Sequence, residues 1–177
     1  MTLRSALAAA TASAALVLAL AGCSSATPAA GSSASPTATA GATCAGVTVI
    51  VDPGDLKVPA SDKKKTCVAT DAPITAAQAL TKAAVTTEGT KQYGDQVVCR
   101  VNGIPSAQLD IPASDGSTYH EQCQGMPAAF AYWALWLKPA GGTWAYAQEG
   151  MSTQKVEPGQ SIELLFTLND KPTTPAP

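Results

Sequence analysis

The chain of 177 residues carries 11 basic and 13 acidic side chains, for a formal net charge of −2. Arg4 is the single charge before Cys44, so the slightly acidic balance belongs to the remainder. That balance excludes a nucleic-acid partner and a polybasic membrane patch, both of which need clustered cations.

Residues 1–22 read as an export signal. Arg4 supplies the positive end, Ala6–Leu20 an uncharged apolar run, and Leu20-Ala21-Gly22-Cys23 closes it. Small residues ahead of a cysteine fit a narrow protease site, and the freed Cys23 thiol can accept a diacylglyceryl thioether, so the stretch resembles the bacterial lipoprotein lipobox. Cys23 is therefore the expected lipid-attachment residue, with several acyl chains (palmitate among them) giving stable anchorage where one would not. The expected address is the extracellular face of the cell membrane, reached through the lipid anchor only; an unlipidated chain would be secreted. A transmembrane helix is the weaker alternative, because the run is short against the roughly 20 residues a bilayer needs and is rich in Ala.

Residues 24–43 contain only Ala, Gly, Ser, Thr and Pro. Such a segment has no large apolar group to offset its ordering entropy, so residues 23–43 are expected to be a lipid-anchored flexible tether, with Ser/Thr content that also suits O-glycosylation. Residues 44–168 suffice for one domain with a core and not for two.

Val47–Val51 is a β-branched run stopped by Asp52-Pro53-Gly54-Asp55, which has turn chemistry. Lys65–Ala69 can return as a second strand, leaving Lys63-Lys64-Lys65 as a solvated loop tip. Thr75 and Gln78 fit a capping box, and Ala76, Ala77, Leu80, Ala83 and Ala84 recur at helical spacing, with Glu88-Gly89 as the expected stop. Gln96–Val101 is a third strand, closed by the turn dipeptide Asn102-Gly103. Residues 104–127, with Pro105, Pro112, Gly116, Gly125 and Pro127, read as a long irregular connection. Ala131–Leu137 and Thr143–Ala147 make a hairpin, and Pro158-Gly159 precedes a last strand, Ile162–Leu168. Residues 169–177 are expected to be a disordered tail. The order implies an α+β domain, a β-grasp-like mixed sheet with one helix.

Cys44, Cys67, Cys99 and Cys123 remain once Cys23 is assigned to lipid. Four cysteines outside the cytoplasm imply two disulfides with three possible connectivities. Cys44–Cys67 and Cys99–Cys123 are favoured, because strand-to-strand returns bring each of these pairs together. Zinc is disfavoured: His120 precedes Cys123 by three residues, but no Cys-x-x-Cys occurs. No metal and no cofactor is expected.

Six of the nine aromatic residues fall between Phe130 and Tyr146. Strand alternation puts Tyr132 and Trp136 on one face and Trp133, Leu135 and Leu137 on the other, while Trp144 and Tyr146 share a face on the partner strand. Tyr132, Trp133, Trp136, Trp144 and Tyr146 are the candidate ligand contacts, an aromatic platform with hydroxyl and indole N–H groups as polar handles; the alternative is cross-strand core packing. A triad drawn from Ser114 or Ser117, His120, and Asp110 or Asp115 lacks a nucleophile elbow and sits in one loop. Asp52, Asp55, Asp62, Glu157 and Glu163 mark no acid–base pair or calcium loop, and no phosphate loop or dinucleotide fingerprint occurs. No catalytic residue is assigned, and the chain is expected to be a non-enzyme.

Val98-Cys99-Arg100-Val101-Asn102-Gly103-Ile104-Pro105, Tyr132-Trp133 with Trp136, Gly141-Gly142-Thr143-Trp144-Ala145-Tyr146, Gly150 and Pro158-Gly159, in this order and spacing, resemble the transcobalamin-like C-terminal domain family in its actinobacterial form. The resemblance spans roughly residues 46–166 and implies a β-grasp-like ligand-binding domain at the cell surface. In the vitamin carrier behind the family's name, this domain closes over cobalamin held by a separate helical barrel, for which this chain has no room. Gly159-Gln160 also departs from the Gly-Asp of many relatives. The expected function is a surface lipoprotein with a non-catalytic binding domain for a small ligand or a surface protein. The rival expectation is a protein-interaction module such as a protease inhibitor, presenting the stapled Pro105–Pro127 loop.

Overall fold

A computed structural model describes residues 44–177. The export signal, Cys23 and the tether to residue 43 lie outside the described residues. In chain order the elements are β1 (Gly46–Asp52), a 3-10 turn (Ala60–Asp62), β2 (Lys64–Ala69), β3 (Ile74–Thr75) and α1 (Ala76–Lys82), then β4 (Thr87–Thr90), β5 (Gly94–Val101), β6 (Ile111–Pro112) and β7 (Thr118–Tyr119). The last four are β8 (Ala131–Lys138), β9 (Ala145–Tyr146), β10 (Lys155–Val156) and β11 (Ser161–Leu168). The described residues form a mainly mixed sheet with a single α-helix.

Five strands form the main sheet in the order β2-β1-β11-β8-β9. β1 and β11 run parallel at its centre, with Val49 opposite Ile162 and Val51 opposite Leu164. β2 and β8 flank them antiparallel. Because β11 has neighbours on both edges, it reads as a near-continuous apolar run, SIELLFTL, whose two faces diverge in use. Val47, Val49, Val51, Ile162, Leu164, Phe166 and Trp133 point to the inner face, where Ala76, Ala79 and Leu80 of α1 complete the main core. Leu165, Ala134 and Trp136 form a second, smaller cluster on the outer face.

The helix begins as the sequence requires. Thr75 Oγ1 accepts from Gln78 N at 3.1 Å and Gln78 Oε1 accepts from Thr75 N at 2.9 Å, the two reciprocal bonds of a capping box. It ends earlier than expected. Ala84 sits at φ 56, with Ala84 N donating to Thr81 O and Val85 N to Leu80 O, which is a Schellman stop without the usual glycine. Glu88-Gly89, expected to end the helix, instead lie in β4, which pairs with β5 through two register shifts. A Cβ on Gly89 would meet Gly94 O at 2.2 Å, so the close approach of the two strands requires glycine there.

The turns follow their dipeptides. Val101 and Ile104 exchange two backbone bonds of 2.9 Å around Asn102 (φ 50) and Gly103 (φ 79), a two-residue turn of the primed kind. Gln160 N donates to Glu157 O across Pro158-Gly159. The disulfides join Cys44 to Cys67 and Cys99 to Cys123. Within the 104–127 connection, β6 and β7 pair as a minimal hairpin.

The C-terminal residues differ from the expected structureless tail. Pro175 is buried, and Trp144 Nε1 donates to Ala176 O at 3.0 Å. A proline-rich stretch without large side chains gives no periodic signal, yet here its Ala176 carbonyl takes the indole N–H of Trp144.

Candidate functional site

The hairpin sorts its aromatics as alternation demands. Tyr132, Trp136 and Trp144 pack around Ala134 and Leu165 on the outer face. Tyr146 stands opposite Trp136 in register and stacks on it, with ring centroids 3.9 Å apart and planes 27° from parallel. Lys138 Nζ lies 5.6 Å from the centroid of Trp144, within cation–π reach. Burial, and next the hydroxyl of Tyr132, push the Tyr146 phenol above its ordinary value.

Trp133 parts company with the other four. It meets Phe166 edge to face at 5.3 Å on the inner side, and its Nε1 donates to Ile104 O at 3.0 Å. The outer four are not an open platform either. Trp136 is 5% exposed and Tyr146 49%, and the Trp144 indole is engaged by the C-terminal residues. Tyr146 is the one broadly open ring among them.

The inner face holds what alternation alone could not reveal. A cavity of about 520 Å³ opens between the start of β5, the 126–129 segment and β8. Val98, Met126, Trp133, Leu135, Met151 and Leu164 line it, with Gln96 as a polar group. Met126 is 66% exposed, which places a flexible, polarisable side chain at the mouth. Leu135 and Trp133 were readable as inward-facing, but Met126, Met151 and Gln96 come from loops and a strand end far apart in sequence. No spacing rule links them.

The outer face carries a charged corner. Lys63 Nζ bonds Asp52 Oδ2 at 2.5 Å, and that bond holds the lysine above its ordinary pKa. The same carboxylate accepts from Gly54 N and shapes the Asp52–Asp55 turn. Nearby Glu163 is buried on β11, and burial, with the Asp52 charge adding, pushes its carboxyl up to about 7. Its Oε1, Trp136 Nε1 and Thr167 Oγ1 are buried without a hydrogen-bond partner among the described residues.

The 104–127 connection is braced rather than loose. Arg100 donates from Nε to Pro105 O (2.7 Å), from one terminal nitrogen to Glu121 O and from the other to Glu88 Oε1 (2.8 Å each). Glu121 is itself buried and accepts from Cys123 N and from the Tyr119 hydroxyl, whose pKa burial and this bond push up to about 12. Cys99, Glu121 and Cys123 lie within 4.8 Å of one another. Both sulfurs are spent in the Cys99–Cys123 bond, so no thiolate is free to ligate zinc there.

His120 Nε2 bonds Asp110 Oδ1 at 2.8 Å, with both side chains well exposed. Asp115 instead accepts from Ser117 N, and the Ser117 hydroxyl first, with this backbone bond second, lowers its pKa. The structure thus brings two members of the imagined triad together and leaves the serine out. Comparison with family models, with curated proteins and with solved structures returned no match for this chain.

Proposed function

We propose that the protein is a cell-surface lipoprotein whose domain is a non-catalytic binding module for a small, largely apolar ligand. The observation that carries this reading is the inner-face cavity. Its volume of about 520 Å³ falls within the roughly 300–1,000 Å³ common for small-molecule sites. Its lining of Met, Leu, Val and Trp with one amide suits an apolar body with a single polar end. Of the hairpin aromatics, inner-facing Trp133 and outer-packed Tyr132 both border this cavity, so these two become the contact residues and Trp136, Trp144 and Tyr146 do not. The parallel central pair, antiparallel flanks and one helix on the inner face support a β-grasp-type arrangement. The Leu20-Ala21-Gly22-Cys23 stretch supports lipidation at Cys23 and the outer membrane face as address.

The test is native mass spectrometry of protein expressed in an exporting host, followed by fluorescence titration with whatever mass co-purifies. A retained apolar ligand that alters Trp emission supports the reading, provided Ala129→Trp, which fills the mouth, abolishes binding. Retained affinity in that variant would place the ligand elsewhere.

A second reading, a protein-interaction or protease-inhibitor module, draws on the bracing of the 104–127 connection by Arg100 and the Cys99–Cys123 bond. Preorganisation of this kind lowers the entropy lost on binding. Saturable inhibition of an extracellular protease would favour it over the cavity.

A further inference from the structure

We propose that the inner-face cavity takes electrically neutral ligands and rejects carboxylates of the same apolar size, with Gln96 as the residue that meets the ligand's polar end. The proposal rests on the cavity being the binding site, and adds to that reading the charge of the ligand and the residue that selects it.

The lining decides the charge. None of the side chains that line the cavity is acidic or basic. The one cation of β5, the Arg100 guanidinium, is spent on Pro105 O, Glu121 O and Glu88 Oε1. The residues flanking the lining in sequence are acidic, Asp95 beside Gln96 and Glu149 beside Gly150, and neither lines it. Taking a carboxylate out of water without a cation costs far more than burying a hydroxyl that makes one hydrogen bond. An anionic head therefore finds nothing at this site to replace its hydration, and a neutral one loses little.

Elimination among the polar groups leaves Gln96. Trp133 Nε1 already donates to Ile104 O, and the Tyr132 hydroxyl is engaged with Tyr146. Gln96 is exposed on β5. Its amide accepts through Oε1 and donates through Nε2, so it can pair with a hydroxyl or a carbonyl while supplying no counter-charge. The rest of the lining is a weak filter of shape. Met126 and Met151 are the two methionines among residues 44–177, and both line the cavity. Thioether chains re-pack around different apolar outlines, which leaves discrimination to charge and to the hydrogen bond at Gln96.

The probes are 1-decanol, decanoate and decylammonium, which share one alkyl body and differ in the charge of the head. Each is titrated into the ¹⁵N-labelled full chain and into full-length Gln96→Lys at about pH 8, where the carboxylate and the ammonium are both ionised. The Trp133 indole N–H reports the cavity, and the Trp144 indole N–H reports the outer face. The expected result is saturable movement of the Trp133 signal with Trp144 unmoved, 1-decanol binding at least about tenfold tighter than decanoate and tighter than decylammonium. Gln96→Lys supplies the missing cation, so it should raise decanoate affinity about threefold or more without improving 1-decanol. Should that variant disturb the Trp144 signal, the order of the three probes in the unaltered chain still decides. Decanoate or decylammonium binding as tightly as 1-decanol there would overturn the proposal and leave the cavity standing as the site. Decanoate affinity unchanged in a Gln96→Lys protein with Trp144 intact would overturn the role given to Gln96. A Trp133 signal that no probe moves would overturn the cavity reading itself, and this inference with it.

Discussion

Glu163 and Trp136 stand directly opposite each other across β11 and β8, and each buries a polar atom that has no hydrogen-bond partner among the described residues. For Glu163 the consequence is electrostatic. Its carboxyl is pushed from 4.5 up to about 7, chiefly by burial, so the folded protein holds a proton that the unfolded chain releases. Stability is therefore highest below about pH 4.5 as far as this group is concerned, and falls as pH rises towards 7, by up to about 3 kcal/mol. Glu163→Gln keeps the shape and removes the titration. Thermal melts at pH 5 and pH 8 should show the variant gaining about 2 kcal/mol over the parent at pH 8, with little gain at pH 5. Equal pH slopes for the two proteins would refute a buried, proton-holding Glu163.

Arg100 holds the 104–127 connection by a fork. Its side chain is 12% exposed and bonds two backbone carbonyls, Pro105 O and Glu121 O, as well as Glu88. A lysine ammonium cannot reproduce that planar geometry, so Arg100→Lys should behave almost like Arg100→Met. Both should lose about 2–4 kcal/mol, read as a lowered urea midpoint, since carbonyls are left short of donors. Rescue by lysine would mean that charge, and not the fork, is what matters.

The two disulfides close loops of similar size, with sequence separations of 23 and 24, so chain entropy alone gives each about 3 kcal/mol. Their local consequences differ. Cys44–Cys67 links the approach to β1 with β2, which β1 already pairs. Cys99–Cys123 anchors a connection with little ladder of its own. Replacing Cys99 and Cys123 by Ala should therefore expose residues 104–127 to limited proteolysis at temperatures where the Cys44/Cys67 double variant is cut no faster than the parent. Indistinguishable cleavage in the two variants would show that Arg100 and Glu121 hold the connection unaided.

Much of this architecture was legible because its signals are local. β-branched runs, the Thr75–Gln78 box and the Asn102-Gly103 and Pro158-Gly159 turns each carry their own chemistry within a few residues. Ala84 was not legible, since an alanine in the left-handed region is chosen by the Leu80–Val85 closure and not by its own preference. β4 was missed for a related reason. TEGT has weak strand propensity, and pairing with β5 supplies what the residues lack. At the candidate site, alternation separated Trp133 from the other four rings, but nothing in the spacing could bring Met126 and Met151 to one cavity or the Ala176 carbonyl to the Trp144 indole. Those relationships are made by tertiary closure between distant segments.

Trp133 and Trp136 offer the sharpest comparison, because the same substitution removes the same atoms from two differently satisfied sites. The Trp133 indole N–H is bonded to Ile104 O, and its ring meets Phe166. The Trp136 indole N–H is buried without a partner. Trp133→Phe forfeits a made hydrogen bond as well as ring contact, a loss of about 2–3 kcal/mol. In Trp136→Phe the lost packing against Tyr146 is offset by removal of an unsatisfied donor, whose burial costs about 1–3 kcal/mol. The second variant should accordingly lie within about 1 kcal/mol of the parent, and the difference between the two should be plain in parallel denaturation curves. Equal losses at both positions would mean that Trp136 Nε1 has a partner in solution, and the outer face would then lack the unused donor assigned to it here.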